Sequence, residues 1–180
     1  MIQKIIPFAH QLIQQHIHKD DIVFDMTMGN GLDTLFLSIL AKHVYAFDIQ
    51  EKALKNTSSL LEKNGILNVT LIQDSHEFAS KHYDGELGVI VFNLGYLPGG
   101  DKSISTNPEK TIKAIDTALP LLKVGGIMCI TVYPGHKFGK IESELLLKYV
   151  TTLHSGQFNV LTYSFINKKN SPYNILIEKN

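Results

Sequence analysis

Four acids stand where an α/β sheet would present itself to a nucleotide-like ligand: Asp25, Asp33, Asp48 and Asp74. Asp25 closes the apolar run Ile22-Val23-Phe24 and opens the segment Asp25-Met26-Thr27-Met28-Gly29-Asn30-Gly31-Leu32-Asp33-Thr34. A short strand ending in an acid, a turn with two glycines one residue apart, and a helix start together offer backbone N–H groups to such a ligand. A dinucleotide fingerprint would carry a third glycine where Thr34 stands, with a pyrophosphate resting on the helix N-terminus. Asp33 instead sets a carboxylate at that entrance, which disfavours an anion and suits a ligand bearing an ammonium and a sulfonium. S-adenosylmethionine (SAM) has that charge pattern, and its own carboxylate can take the N–H groups of the turn. Asp25 and Asp33 are therefore candidates to face its cationic centres.

The other two acids extend the pattern. Val44-Tyr45-Ala46-Phe47-Asp48 is a second apolar run closed by an acid, where a ribose diol could be held by two hydrogen bonds to one carboxylate. NAD sites use an acid at a comparable place, so Asp48 alone does not separate the two ligands. Val69-Thr70-Leu71-Ile72 leads into Gln73-Asp74-Ser75-His76, which puts an acid within reach of an adenine amino group and a ring that can pack on the base. Each acid taken singly reads equally well as a helix N-cap. Three successive strands with acids at one sheet edge fit a ligand site better, because ligands of such sheets gather at the carboxyl ends of the strands.

A fourth apolar run, Val89-Ile90-Val91-Phe92-Asn93, continues into Leu94-Gly95-Tyr96-Leu97-Pro98-Gly99-Gly100-Asp101-Lys102. This segment is expected across the switch point from the glycine turn, facing a transferable methyl. Asn–Pro–Pro–aromatic motifs of amino-methyltransferases use the Asn oxygen and the next carbonyl to accept hydrogens from a substrate nitrogen. Asn93-Leu94-Gly95-Tyr96 keeps the two ends with a different middle. Its Asn oxygen, Leu94 carbonyl and Tyr96 ring could orient an amine lone pair for in-line displacement, which is catalysis mainly by positioning. The plain alternative is a glycine-rich turn with a core tyrosine. A primary amine, with a pKa of about 10.4 by analogy with lysine, must lose a proton before it attacks. Candidates to assist are Asp101, Asp33 and His136, the last in Tyr133-Pro134-Gly135-His136-Lys137. The remaining histidines show no zinc-ligand spacing, and no catalytic metal is expected.

Regular elements must hold these residues. Phe8, Ala9, Leu12, Ile13 and Ile17 recur at helical spacing over 8–18, ahead of the first strand. Helices are expected over 34–42, over 50–64 with Leu54, Leu60 and Leu61 inward and Gly65 as the stop, over 108–123 with Gly125-Gly126 as the stop, and over 140–153. A fifth strand is expected over 127–133, with the lone Cys129 as a core residue rather than a nucleophile. Beyond it, 158–166 and 173–178 are β-rich runs with no helix between them, a hairpin signal. Strand–helix alternation implies a mostly parallel doubly wound sheet with helices on both faces, and the terminal hairpin adds an antiparallel edge. That is a Rossmann-like α/β fold of seven strands, arranged as in SAM-dependent methyltransferases and not as in dinucleotide dehydrogenases.

The 180 residues suit one domain, with 1–20 as a helical segment packed on it. Hydrophobic residues make up 44% and charged residues 19%, the composition of a soluble globular protein, and no run approaches the roughly 18 apolar residues of a membrane span. The N-terminus lacks a signal-peptide core, so a cytoplasmic location is expected. All 17 basic residues are lysines, balanced by 17 acids. A basic surplus suited to a long nucleic-acid footprint is absent, so any RNA contact would be small, with a local lysine patch or a second subunit.

Taken together, Asp25 to Thr34, Phe47-Asp48-Ile49-Gln50, Asp74-Ser75-His76-Glu77, Phe92 to Lys102, Tyr133 to His136 and Phe165-Ile166-Asn167 resemble a small family labelled rRNA methylases, over essentially the whole chain. The resemblance implies SAM-dependent N-methylation of the 5-aminomethyl group on the wobble uridine of certain tRNAs, giving 5-methylaminomethyl-2-thiouridine. It implies a SAM site of Asp25, Thr27, Gly29, Asn30, Gly31, Asp33, Thr34, Asp48, Gln50, Asp74, Ser75, His76 and Asn93. It gives substrate contact to Tyr96, Leu97, Pro98, Gly99, Gly100, Asp101, Lys102 and His136, with the loop 167–173, including Tyr173, closing over the uridine. Asn170-Ser171-Pro172-Tyr173 departs from relatives, which often show a second proline there. The implied partner is a tRNA anticodon stem-loop, where few phosphates need neutralising, and pairing as a homodimer would widen the footprint of a small neutral domain. Methylation of an rRNA base or a small-molecule amine, and a dinucleotide-binding oxidoreductase or non-catalytic nucleotide-binding module, are the competing expectations.

Overall fold

The computed structural model describes residues 1–100 and 105–180. Its seven strands form one sheet: β1 (Ile22–Asp25), β2 (His43–Asp48), β3 (Val69–Gln73), β4 (Leu87–Asn93), β5 (Leu122–Val132), β6 (Phe158–Tyr163) and β7 (Tyr173–Lys179), in the order β3-β2-β1-β4-β5-β7-β6. The first five are parallel, and β7 inserts antiparallel between β5 and β6. The order reverses between β1 and β4, and every parallel strand ends on the same side, so that edge is where a ligand crevice forms.

Side-chain alternation along the strands divides the core in two. Val23, Val44, Ala46, Val89, Val91 and Cys129 face one side, where they pack with Ala9, Ile13, Leu37 and Ala53 of α1 (Ile5–His16), α2 (Leu32–Leu40) and α3 (Glu51–Lys63). Phe24, Phe47, Ile90, Phe92, Met128 and Ile130 face the other, against Ala114 and Ile115 of α4 (Pro108–Ala118) and Leu146 and Val150 of α5 (Lys137–Val150). α1 is pinned to the hairpin end of the sheet. The buried Asn174 amide donates to the Ile5 carbonyl at 2.9 Å, the Tyr163 hydroxyl donates to the Gln3 carbonyl at 2.9 Å, and Phe8 stacks on Tyr163 with centroids 3.7 Å apart.

Several element bounds differ from the sequence expectation. α2 begins at Leu32 because Gly31, at φ +83, turns the chain directly into the helix. In α3 the fully buried positions are Ala53, Thr57 and Leu61, with Leu54 and Leu60 only half-buried. α4 stops at Ala118, not at residue 123: Pro120 has no N–H to continue it and sits in a 3-10 turn over Leu119–Leu121. Gly125 and Gly126 end no helix. They lie within β5, at an irregularity where pairing with β4 jumps from Leu87↔Leu122 to Val89↔Ile127. β6 ends at Tyr163, since pairing with β7 stops at Tyr163↔Asn174 and leaves Ile166 fully exposed. An unexpected 3-10 helix, His76–Lys81, joins β3 to β4.

Candidate active site

The carboxyl edge of the sheet holds a cavity of about 840 Å³ running from the glycine turn to the start of α5. Backbone bonds build its floor. Met26 N–H donates to the Val91 carbonyl at 2.8 Å and Met28 N–H to the Phe47 carbonyl at 2.9 Å, tying the turn to both neighbouring strands. Gly29, at φ +52, directs its N–H to Asp48 Oδ2 at 3.2 Å, while Thr57 Oγ1 of α3 donates to the Gly29 carbonyl at 3.1 Å. At Gly31 a Cβ would come within 2.8 Å of Thr57 Oγ1, so the turn tolerates no side chain there.

Asp25 lies beneath this turn, fully buried, and does not line the cavity. Its carboxyl accepts from Thr34 Oγ1 at 2.6 Å and from Thr27 N–H at 3.2 Å. Burial, reinforced by the charge of Asp33, pushes it up to about 7. Thr34, equally buried, serves Asp25. Neither lines the cavity, and their bonds hold the turn that does. Asp33 does line the cavity, as do Thr27, Gly29, Asn30, Asp48, Gln50, Asp74, Ser75, His76 and Asn93. Asp48 accepts the Gly29 N–H and, through Oδ1, the Gln50 N–H at 2.9 Å, and burial raises its pKa against those bonds.

At the tip of β3, Asp74 accepts from Ser75 N–H at 2.7 Å and pairs with His82 Nε2 at 2.9 Å, whose hydrogen bond holds its carboxyl below the usual range. His76 is pushed down to about 4 by burial and hydrogen-bonds to the Met26 backbone, while its buried Nε2 has no partner. A neutral ring donating through Nδ1 leaves Nε2 as a lone-pair acceptor.

Across the crevice, Asn93 is held on three sides. Its N–H donates to Thr27 Oγ1 at 2.7 Å, its Nδ2 donates to Asp33 Oδ2 at 3.1 Å, and its amide also donates to the Tyr133 phenol oxygen, a bond that favours the ionised phenol. A carboxylate only accepts, so the bond to Asp33 fixes which end of the amide is NH2 and leaves the carbonyl oxygen free to accept. The following loop is braced by a buried acid that sequence reasoning missed. Glu142 of α5 accepts from Thr106 Oγ1 at 2.8 Å and Thr111 Oγ1 at 3.0 Å, and Thr106 Oγ1 in turn accepts the Gly95 N–H at 3.1 Å. Burial raises the Glu142 pKa.

Tyr96, Leu97, Pro98 and His136 line the cavity, whereas Gly99, Gly100, Gly31 and Tyr173 do not. Gly99 offers its carbonyl to Lys52 Nζ at 2.8 Å, Gly100 donates to the Leu97 carbonyl at 2.8 Å, and Tyr173 is buried against Ser143 with its hydroxyl 2.8 Å from Ser143 Oγ. From the loop ahead of β7 it is Asn170 and Pro172 that reach the cavity. Asp101 and Lys102 lie outside the described residues. His136 caps α5, its Nδ1 accepting the Gly139 N–H at 3.1 Å, with its ring centroid 6.1 Å from that of Tyr96. In the neutral ring that bond puts the hydrogen on Nε2, which is buried and unpartnered, so the ring offers a donor there and not a lone pair. Tyr133 and Lys110 also line the cavity. Tyr133 follows β5 at the strand-end position that marked the acids, a signal available in the sequence, whereas no spacing rule points to Lys110.

The rRNA methylase family model, described as Putative rRNA methylase, matches residues 44–179. This chain belongs to that family. A chloroplastic tRNA (mnm(5)s(2)U34)-methyltransferase of Arabidopsis thaliana is 33% identical, over 98% of this chain and 70% of its own length. A crystal structure of a putative rRNA methylase from Clostridium thermocellum superposes with a TM-score of 0.97 at 39% identity, covering all of both chains. A putative methyltransferase from Streptococcus mutans, solved in complex with S-adenosylhomocysteine (SAH), gives 0.94 at 40% identity, again over both whole chains. Fold and family make the protein a class I, SAM-dependent methyltransferase. No helix among the described residues is long and apolar enough to cross a membrane.

Proposed function

We propose that the protein methylates the 5-aminomethyl nitrogen of the wobble uridine in tRNA, giving 5-methylaminomethyl-(2-thio)uridine. The single observation that carries this reading is the orientation of Asn93, whose NH2 is committed to Asp33 and whose carbonyl oxygen is left to accept an N–H of an incoming amine. The similarity to the Arabidopsis tRNA enzyme supports the same acceptor.

The cavity residues fit SAM by their chemistry. Asp33 offers a carboxylate to cationic groups, Asp48 a carboxylate to the ribose diol, and the orphaned Nε2 of His76 a lone pair to the adenine amino group, beside Asp74 and Ser75. Bound there, SAM supplies an electrophilic methyl group. The chain's contribution is then orientation. The Asn93 oxygen and the Leu94 carbonyl accept the amine hydrogens, which aims the nitrogen lone pair, and the Tyr96 ring forms the wall against which the uridine stacks. As the nitrogen gains its fourth bond it becomes cationic, a charge that the Asp33 carboxylate stabilises before a proton is released to solvent. An anticodon stem-loop is the partner this reading requires, and Lys110, which lines the cavity and pairs with Glu77 at 3.4 Å, is the lysine this reading assigns to one of its phosphates.

The test is transfer of labelled methyl from SAM to separated tRNA, rRNA and small-molecule fractions from cells lacking the protein, followed by nucleoside mass analysis. Label in 5-methylaminomethyl-2-thiouridine is expected. Label confined to rRNA or to a metabolite would discard the acceptor while keeping the SAM site. Asn93→Ala is expected to abolish transfer while SAH still binds, and retained transfer would remove the amine-positioning role.

A further inference from the structure

His10 attracts no attention in the sequence and precedes the stretch matched by the family model. In the fold its Nε2 lies 2.8 Å from Asp33 Oδ1, and the other oxygen of the same carboxylate, Oδ2, accepts from Asn93 Nδ2 at 3.1 Å. We propose that His10 is a positioning residue of the active site, acting through Asp33 on the amide of Asn93. This rests on the amine-positioning reading of Asn93 given above.

The physical chain has three links. The His10 ring is itself fixed, stacked on Phe36 of α2 with centroids 4.0 Å apart and planes 10° from parallel, on a helix pinned at its start by Asn174. A carboxylate has no hydrogen to give, so Nε2 of His10 carries the proton in this contact. Asp33 is thereby anchored at one oxygen, and the plane of its carboxylate sets where the other oxygen meets Asn93.

Asn93 is where this placement affects chemistry. An amide held by a carboxylate keeps its NH2 on that side and its oxygen toward the amine. An amide that has lost a well-placed acceptor can rotate by half a turn, and it then offers N–H donors to the amine nitrogen. Those donors would engage the lone pair that has to attack, so the flipped rotamer is inhibitory and not merely less helpful. α1 thus completes a site otherwise assembled from the sheet edge.

The test compares His10→Phe with His10→Gln in methyl transfer to the acceptor RNA, with SAH affinity and thermal unfolding measured on the same samples. Phenylalanine keeps the stack on Phe36 and removes the donor, whereas glutamine places an amide N–H near the position of Nε2 and gives up the stack. Loss of a hydrogen bond to a charged group is expected to lower kcat about tenfold in His10→Phe, with SAH affinity changed by less than about threefold, a smaller loss than removal of one such bond to the ligand would give. His10→Gln is expected to recover most of kcat even if its Tm is the lower of the two. Combined with Asp33→Asn, His10→Phe is expected to add no further loss, because both act through one carboxylate.

Wild-type turnover in His10→Phe, losses that follow Tm in both variants, or additivity with Asp33→Asn would each overturn the proposal. Asn93→Ala is assayed alongside. If it retains transfer, the reading of Asn93 fails and His10 has nothing to position; if it is inactive while His10→Phe turns over normally, the role of His10 alone is wrong.

Discussion

Asp25→Asn should stabilise the protein above neutral pH, although it removes a carboxylate from the best-defined motif in the chain. Asp25 is fully buried and its pKa stands at about 7 against an ordinary 3.8, mainly through burial and secondarily through Asp33. The folded state therefore binds this proton more tightly than the unfolded chain does. The stability that the protonated group contributes is fully present below pH 3.8 and is lost as pH rises through 7. A shift of about three units at about 1.4 kcal/mol each amounts to roughly 4 kcal/mol of destabilisation in the ionised form. Asparagine needs no ionisation and fits the same partners, its oxygen accepting the Thr27 N–H and its NH2 donating to Thr34 Oγ1. Urea unfolding of both chains, followed by circular dichroism between pH 4 and 8, should show curves within about 1 kcal/mol at the acid end and up to about 4 kcal/mol apart at pH 8, with the variant the more stable. Parallel profiles would refute the reasoning, for they would mean that Asp25 ionises in the fold at its ordinary value.

Three further outcomes are expected. Asp48→Ala should weaken SAH binding in calorimetry by about 10- to 150-fold, the equivalent of 1.5–3 kcal/mol for charge-assisted hydrogen bonds, and an unchanged Kd would mean the ribose lies elsewhere. Gly31→Ala should cost about 2–4 kcal/mol in chemical unfolding, because φ +83 strains a side chain and its Cβ meets Thr57 at 2.8 Å; a loss under about 0.5 kcal/mol would contradict that close approach. His136→Asn preserves the acceptor that caps α5 but removes Nε2, so Tm should hold while kcat/KM for the RNA falls about three- to tenfold, the worth of a neutral hydrogen bond. The pH–rate profile of that variant should match the wild type, and loss of its acidic limb would make the ring a base instead of a donor.

The sequence by itself determined the sheet, its polarity and the edge on which the site lies. Continuous apolar runs, each closed by Asp25, Asp48 or Asn93, and a glycine turn leading into a helix are local signals, set by backbone sterics and by burial of the strands on both faces. The hairpin was legible for the same reason, and so was the inertness of Cys129, whose thiol burial pushes up to about 12. Helix ends were legible less well: the glycines at 125 and 126 look like a stop signal, yet Pro120 had already ended α4 and the two glycines lie inside β5, at the irregularity of its pairing with β4.

What only the tertiary structure decided is the division of labour among residues of one type. Asp25, Asp33 and Asp48 are alike in sequence, but one is sealed under the turn, one is shared between His10 and Asn93, and one bridges the turn to α3. Glu142 and His10 carry no local mark at all, since their partners lie 36 and 23 positions away in the chain. A side chain's hydrogen-bond role depends on which donors and acceptors reach it once solvent is excluded. That environment is assembled from distant segments, so it exists only after the two faces of the sheet have been covered.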